Sequence, residues 1–250
     1  MINRMIHGEV HELRLSRPPV NALSPDLLRF LADEICRSPK QGARALVLSG
    51  REGMFSAGLD IPVLIELEKE ELESALVAFF DAMEALAASP VPVAAAITGH
   101  SPAGGAVLSL CCDWRVMAEG DFTIGLSEVR IGIPVPRVVA DLATRVVGRR
   151  SGESLCVSGK LLNPEEALEV GFVDELAAAN EVVAVARRWC ERIIDAPARA
   201  LADTRAVLRR DLVESIQSHR EDDIRLLVDQ WFQPELQAAM QELVARLKDP

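Results

Sequence analysis

Residues 91–120 read VPVAAAITGHSPAGGAVLSLCCDWRVMAEG, and the order of signals within them decides the fold. Val91 to Thr98 is a short apolar run bounded by Ser89-Pro90 and by Gly99, which suits a buried strand. A glycine-rich turn follows from Gly99, and AGGAVLSLCC then reads as an apolar helix ending near Asp113. Trp114 to Met117 and Phe122 to Leu126 read as further short strands. Strands and helices thus alternate along this stretch.

The same alternation extends upstream. Val10, Leu13 and Leu15 fit a strand, and Ala43 to Gly50 (ARALVLSG) fits a short buried one. Between them Ser24 is an N-cap candidate, Pro25 suits the first helical position, and Asp26 suits the positive helix end. Leu27, Leu28, Phe30, Leu31 and Ile35 supply that helix with an apolar stripe. Residues 63–88 read as a second amphipathic helix closed by Ser89-Pro90. Downstream, strand signals stop after Phe172-Val173-Asp174-Glu175-Leu176, and residues 181–248 show helical periodicity with breaks near Pro197 and Pro234. The expectation is an α/β chain: a core of repeated ββα pattern over residues 1–176 and a helical C-terminal subdomain over 177–250. No Ser/Gly-rich linker, low-complexity tract or short-period repeat interrupts it.

Composition removes several classes of function. Hydrophobic residues make up 49% of the 250 and charged ones 26%, with a net charge of −11. This negative balance is spread along the chain and disfavours binding to a phosphate backbone, so no nucleic-acid partner is expected. The longest uncharged stretches fall short of the roughly 18 residues a membrane span needs, so no membrane role is expected either. His7, Glu9 and Glu12 occupy the region where a signal peptide has an unbroken apolar segment, and a cytoplasmic location is expected. Five cysteines, including adjacent Cys111 and Cys112, read as reduced, buried small hydrophobes rather than a disulfide framework. Four scattered histidines, with neither HExxH nor paired CxxC, give no metal site.

Two segments place glycines where a backbone must approach something closely: FSAGLD at 55–60, after a buried strand, and GHSPAGG at 99–105, opening a helix. The first turn of a helix offers amides without intrahelical partners, and a loop at a strand end can aim another at the same point. Two converging amides form an oxyanion hole. Neither GxGxxG nor GxxxxGK[ST] is present, which removes the usual nucleotide-binding readings.

FSAGLD at 55–60, GHSPAGGAVLSLCCDWRVMAEG at 99–120 and IGLSEVRIGIP at 124–134 together resemble the crotonase (enoyl-CoA hydratase/isomerase) superfamily. The resemblance extends from Arg17-Pro18 and Asn21-Ala22-Leu23-Ser24, through NPEEALEVGFVDEL at 163–176, to the terminal helices. The PAGG version of the motifs looks most like the mitochondrial-type Δ3,Δ2-enoyl-CoA isomerase branch. It implies a crotonase-like spiral of ββα units with a C-terminal helical trimerisation region, assembled as a homotrimer or a dimer of trimers. It implies an acyl-CoA substrate whose thioester carbonyl is held by two backbone N–H groups, matching Ala57 and Gly104. By the same resemblance Phe55, Ser56, Gly58, Leu59, Asp60, Ile61 and Leu23 would line the substrate and CoA site. No cofactor beyond the coenzyme A of the substrate is implied, and no metal.

The carboxylates then point to the reaction. Hydratases of this superfamily use two glutamates, the first three residues after the oxyanion glycine; here that position is Val107, which can neither orient water nor carry its proton. The second matches Glu128. The dienoyl-CoA isomerase branch would place acids at the positions of Val107 and Pro136, and both are absent. One carboxylate suffices for a 1,3-proton shift, so the expected activity is Δ3,Δ2-enoyl-CoA isomerisation with Glu128 as base and acid. Glu128 is expected among Leu126, Ile131 and Ile133 with a raised pKa. The competing readings are a hydratase or other crotonase-type acyl-CoA enzyme using Glu128 alone, and a silent acyl-CoA-binding protein. Asp60 and Asp113 read as caps or ion-pair partners, and His100 as a turn residue. Ser127 and Trp231-Phe232-Gln233 depart from the family pattern and leave the CoA phosphates unassigned. Arg220 and Arg225, beside Glu221, Asp222 and Asp223, read as a solvated charged face.

Overall fold

The protein is described by a computed structural model covering residues 1–248; residues 249–250, the end of the region assigned to 177–250, lie outside the described residues. Two antiparallel strands open the chain, β1 (Ile2–His7) and β2 (Val10–Leu15). Helix α1 (Pro25–Arg37) begins as its sequence dictates: the Ser24 hydroxyl accepts from the Leu27 amide at 3.3 Å, and Leu27, Leu28, Leu31 and Ile35 are buried. Phe30, read as part of that stripe, is exposed. At 100° per residue it falls roughly 60° beyond the stripe's edge.

From β3 onward the chain winds as a spiral. The first turn comprises β3 (Ala45–Ser49), β4 (Gly53–Met54), the short α2 (Ile61–Leu64) and α3 (Lys69–Ala87). The single helix expected over 63–88 is therefore two. The chain restarts at Glu68, whose N–H donates to the Glu71 carboxylate at 3.1 Å and opens a fresh helix. The second turn is β5 (Val93–Ile97), β6 (Gly99–Pro102) and α4 (Gly104–Leu110). The third is β7 (Trp114–Ala118) and β8 (Ile124–Gly125), followed by a 3-10 turn at Glu128–Ile131, α5 (Arg137–Val147), α6 (Arg149–Ser158), α7 (Pro164–Glu169) and β9 (Glu175–Ala177).

Each turn gives a strand to each of two sheets, and the third adds β9 to the larger. The larger sheet has the order β1-β2-β3-β5-β7-β9 and is parallel from β2 onward; the smaller has the order β4-β6-β8, all parallel. Passing from one sheet to the other needs a corner that touches the previous turn. A Cβ on Gly99 would lie 2.0 Å from the Gly53 carbonyl carbon, so only glycine lets β6 settle beside β4.

The C-terminal helices break where the prolines predicted. Helix α8 (Val182–Ile193) covers the outer face of the larger sheet, where Ala45, Val47, Ala94, Ala96, Val116 and Ala118 pack with it. Helix α9 (Ala198–Trp231) packs on α3 and α5, and α10 (Pro234–Lys248) follows Pro234. Of the cysteines, Cys111, Cys112, Cys156 and Cys190 are buried free thiols as expected, whereas Cys36 is exposed on α1.

Two arginines of α9 fasten it to the spiral. Arg205, 6% exposed, donates to the carbonyls of Leu86 (2.9 Å), Ala87 (3.0 Å) and Ser89 at the end of α3, and to Asp113 at 2.9 Å. Arg209 reaches the other Asp113 oxygen at 2.7 Å and the carbonyls of Cys111 and Cys112 past the end of α4. Cations at helix C-termini satisfy orphan carbonyls and complement the dipole. Asp113 is thus the ion-pair and backbone anchor its sequence suggested, taking the Val93 amide as well at 2.8 Å. Arg205→Ala is expected to cost about 3–5 kcal/mol, a fall in Tm of roughly 10 °C, because it leaves three carbonyls without their donor and takes away one of the two cations on Asp113. Arg199→Ala on the exposed face of the same helix should leave Tm unchanged; calorimetry of both variants checks this.

Candidate active site

Because β4, β6 and β8 run parallel and adjacent, their carboxyl ends meet at one edge of the smaller sheet. The segments leaving those ends are Phe55–Asp60, Ala103–Gly105 and Leu126–Glu128. Three stretches separated by dozens of residues are thereby brought together, and a hydrogen bond from the Ala103 amide to the Gly125 carbonyl, 2.8 Å, locks the second to the third.

Gly104 opens α4, so its amide has no intrahelical acceptor. Ala103, just before it, has φ +49° and ψ −123°, a conformation an alanine adopts only where its surroundings impose it. The 55–60 loop lies directly against this turn: a Cβ on Gly58 would come within 3.1 Å of the Gly104 nitrogen, and one on Gly104 within 3.3 Å of the Leu59 nitrogen. Here the structure corrects the sequence reading. The Ala57 amide is not free, since it donates to the Val20 carbonyl at 3.0 Å. The Leu59 amide has no acceptor among the described residues and faces Gly104. Sequence alone carries no sign of this, because it depends on the register of the bridge between Leu23 and Leu59.

The expected substrate-lining set also divides. Ala57 and Leu59 are part-exposed, while Phe55, Ser56 and Leu23 have no exposed surface and Gly58, Asp60 and Ile61 are buried. Phe55, Ser56 and Leu23 are therefore framework beneath the loop, in correction of their reading as lining residues. Asp60 pairs with Arg17 at 2.5 Å, a brace across the end of the loop.

Glu128 follows β8, with its backbone carbonyl accepting from the Ile133 amide at 3.1 Å. Its carboxyl Oε2 is out of contact with water and has no hydrogen-bond partner among the described residues. Burial pushes its pKa up to about 7, and a backbone hydrogen bond offsets this only in part. Leu126 and Ile133 are buried in the same core, and Ile131 packs against it. The nearby Cys156 thiol is raised to about 11, first by burial and then by the Glu128 charge. Beside this turn lies a cleft of about 390 Å³ lined mainly by Val129, Val135, Ala140, Thr144, Cys156 and Val157.

Val107 is 1% exposed and sits in the main core. His100 is tied down: its Nδ1 accepts from the Thr123 amide at 3.2 Å, and its ring meets Phe122 edge-on at 5.3 Å. Arg220 is held by Asp81 at 2.7 Å and Glu84 at 3.2 Å, and Arg225 by Asp222 at 3.2 Å. Among the described residues no cluster of three or more His, Cys, Asp or Glu is arranged to hold a metal, and no helix is long and apolar enough to cross a membrane.

A probable enoyl-CoA hydratase of Mycobacterium avium is 39% identical over 198 residues, covering 78% of this chain and 76% of that protein. Mitochondrial enoyl-CoA delta isomerase 1 of Rattus norvegicus is 31% identical over 242 residues, covering 94% and 83%. The crystal structure of human mitochondrial Δ3,Δ2-enoyl-CoA isomerase superposes with a TM-score of 0.95 at 28% identity, covering 99% of this chain and 98% of that one. The model of the enoyl-CoA hydratase/isomerase family matches residues 5–250, almost the entire length, and this chain, an α/β spiral of ββα units, belongs to that family, the crotonases.

Proposed function

We propose that this enzyme is a Δ3,Δ2-enoyl-CoA isomerase that moves the double bond of a 3-enoyl-CoA to the trans-2 position. The observation that carries the reading is the isolation of Glu128. The residue is half-buried, its Oε2 is out of contact with water and free of partners, and its pKa is about 7, with apolar Val107 where the hydratase pattern has a second acid.

The carboxylate form of Glu128 removes a proton from C2, and the electrons of that C–H bond delocalise into the thioester to give a dienolate. The Leu59 and Gly104 amides hold the negative oxygen. The protonated Glu128 then returns its proton to C4, the double bond settles between C2 and C3, and the group is ready for another cycle. A pKa near 7 serves both steps, because the group is basic enough to take the proton and acidic enough to give it back. Removing one donor of such an oxyanion hole typically costs ~10²–10³ in kcat. The apolar cleft beside the Glu128 turn suits an acyl chain.

A homotrimer or dimer of trimers belongs to the same reading. Val157, Val207 and Leu208 are 79%, 62% and 64% exposed, apolar surface that a neighbouring copy would cover. Light scattering should return three or six times the 27.2 kDa of one chain; a monomer would count against the assembly.

With 3-hexenoyl-CoA, the ultraviolet absorbance of the conjugated 2-enoyl thioester should rise rapidly, with little hydration of crotonyl-CoA. Glu128→Gln should lower conjugation by at least about 10³-fold. Undiminished turnover in this variant would overturn the mechanism, and hydration without conjugation would favour the hydratase reading. The kcat/KM of the unmodified enzyme should climb with pH through about 7 as the carboxylate forms.

The same ionisation predicts a stability effect. The folded carboxyl binds its proton more tightly than the unfolded one, so its contribution is fully present below pH 4.5 and lost as pH rises through 7. Glu128→Gln, which does not ionise, should therefore gain about 2–3 kcal/mol over wild type between pH 4.5 and 8. Denaturant titrations at the two pH values check the sign.

A further inference from the structure

The Phe55–Ile61 loop accounts for its own amides almost completely. Phe55 and Ser56 donate to the His100 carbonyl (2.9 and 3.4 Å), Ala57 to Val20 (3.0 Å), Asp60 to Leu23 (3.3 Å) and Ile61 to Leu59 (2.9 Å). The Gly58 amide donates to the Ser56 hydroxyl at 3.1 Å. Of seven successive N–H groups, only that of Leu59 is left without an acceptor among the described residues. Since buried amides are nearly always paired, one free amide flanked by six engaged ones requires a device that turns each peptide the right way.

Asn21 is at the centre of that device. It is fully buried and adopts φ +50°, a left-handed conformation that asparagine tolerates better than other side-chain-bearing residues. Its Nδ2 donates to the Phe55 carbonyl at 3.0 Å and its Oδ1 accepts from the Arg17 amide at 2.9 Å. Its own carbonyl accepts from the Ser56 hydroxyl at 2.8 Å. The Ser56 oxygen, so oriented, takes the Gly58 amide, and the Gly58 carbonyl takes the Leu23 amide at 2.8 Å. The peptide between Gly58 and Leu59 is thus fixed from its carbonyl side, with its N–H on the opposite side from the segment that holds it. At the far end, Arg17 grips both Asp60 and the Ala22 carbonyl (3.2 Å).

We infer that Asn21 and Ser56 are positioning residues that aim the Leu59 amide at the thioester oxygen, acting through the backbone of the 55–60 loop without touching substrate. This inference rests on the oxyanion role given to Leu59 and Gly104 above. It does not depend on which reaction follows enolate formation.

The test uses the full-length enzyme and the variants Asn21→Ala and Ser56→Ala, assayed with 3-hexenoyl-CoA and titrated with two probes. Acetoacetyl-CoA has the thioester oxygen; S-hexyl-CoA is a thioether without it. Both variants should lose about 10–100-fold in kcat with KM changing less than about threefold, since a displacement of 1 Å in a reacting geometry costs on that order. Affinity for acetoacetyl-CoA should fall with kcat, affinity for S-hexyl-CoA should hold, and the apparent pKa of kcat/KM should stay where it is in wild type. Equal weakening for both probes would make the pair merely structural and overturn the inference, as would unchanged kcat. Ser56→Ala, which removes only a hydroxyl, keeps the question open to decision if Asn21→Ala does not fold. Wild type that fails to isomerise 3-hexenoyl-CoA but still prefers the thioester probe would sink the isomerase reading alone. The variants' loss of that preference would still support the positioning role.

Discussion

The parallel pairing of three very short strands governs everything the site does. β4, β6 and β8 contribute two, four and two residues, too few to be stable alone, and they persist by pairing side by side, each following a strand of the larger sheet. Parallel pairing puts all three carboxyl ends at one edge, where the loop, the helix start and the Glu128 turn leave the sheet. In an antiparallel sheet the middle segment would exit at the opposite end. The glycine at the β5–β6 corner is therefore a requirement of the site as much as of the fold, because without close passage of one turn over another the small sheet could not form.

The site also has an energetic cost, concentrated in Glu128. A buried acceptor without a partner is destabilising by about 1–3 kcal/mol, and the raised pKa adds the cost of ionising at neutral pH. The compensation lies elsewhere in the chain. Arg205 and Arg209 satisfy five backbone carbonyls and Asp113 at the ends of α3 and α4, and α4 is the helix whose first turn supplies the Gly104 amide. The helical C-terminal region thus fixes the far end of the helix that presents the Gly104 amide.

Legibility in the sequence followed the range of the interaction concerned. The buried strands, the Ser24 cap and the helix breaks at Pro197 and Pro234 rest on local chemistry and are readable from it, whereas Glu128 stands out only through the resemblance of its neighbouring motifs to a family. β1 was not, because as an edge strand of sequence INRMIH it has no apolar face to show. The helices between Arg137 and Glu169 have no strand signal in the sequence to frame them. The identity of the free amide is not written in local sequence either. Ala57 and Leu59 sit two apart in one loop, and only the pairing of that loop with Val20–Leu23 decides which amide is consumed. Asn21 has no apolar period or catalytic motif to mark it; its importance lies in its left-handed backbone and two hydrogen bonds across more than thirty positions of sequence.

A single carboxylate that takes a proton at C2 and returns it at C4 must serve two carbon atoms from one position. An ion-pair partner would defeat this twice over, by lowering the pKa toward that of an ordinary glutamate and by holding both oxygens in one orientation. The unpartnered Oε2 of Glu128 removes both obstacles: burial alone raises the pKa, and the oxygen owes no hydrogen bond that movement would break. A second glutamate at the position of Val107 would bring a rival charge and the means to hold water, and water is what the isomerisation has to keep from the dienolate. On the proposed mechanism apolar Val107 and unpartnered Glu128 belong together, since the position where a second acid would hold water is closed off in the core and Glu128 is the one carboxyl left to work as both base and acid.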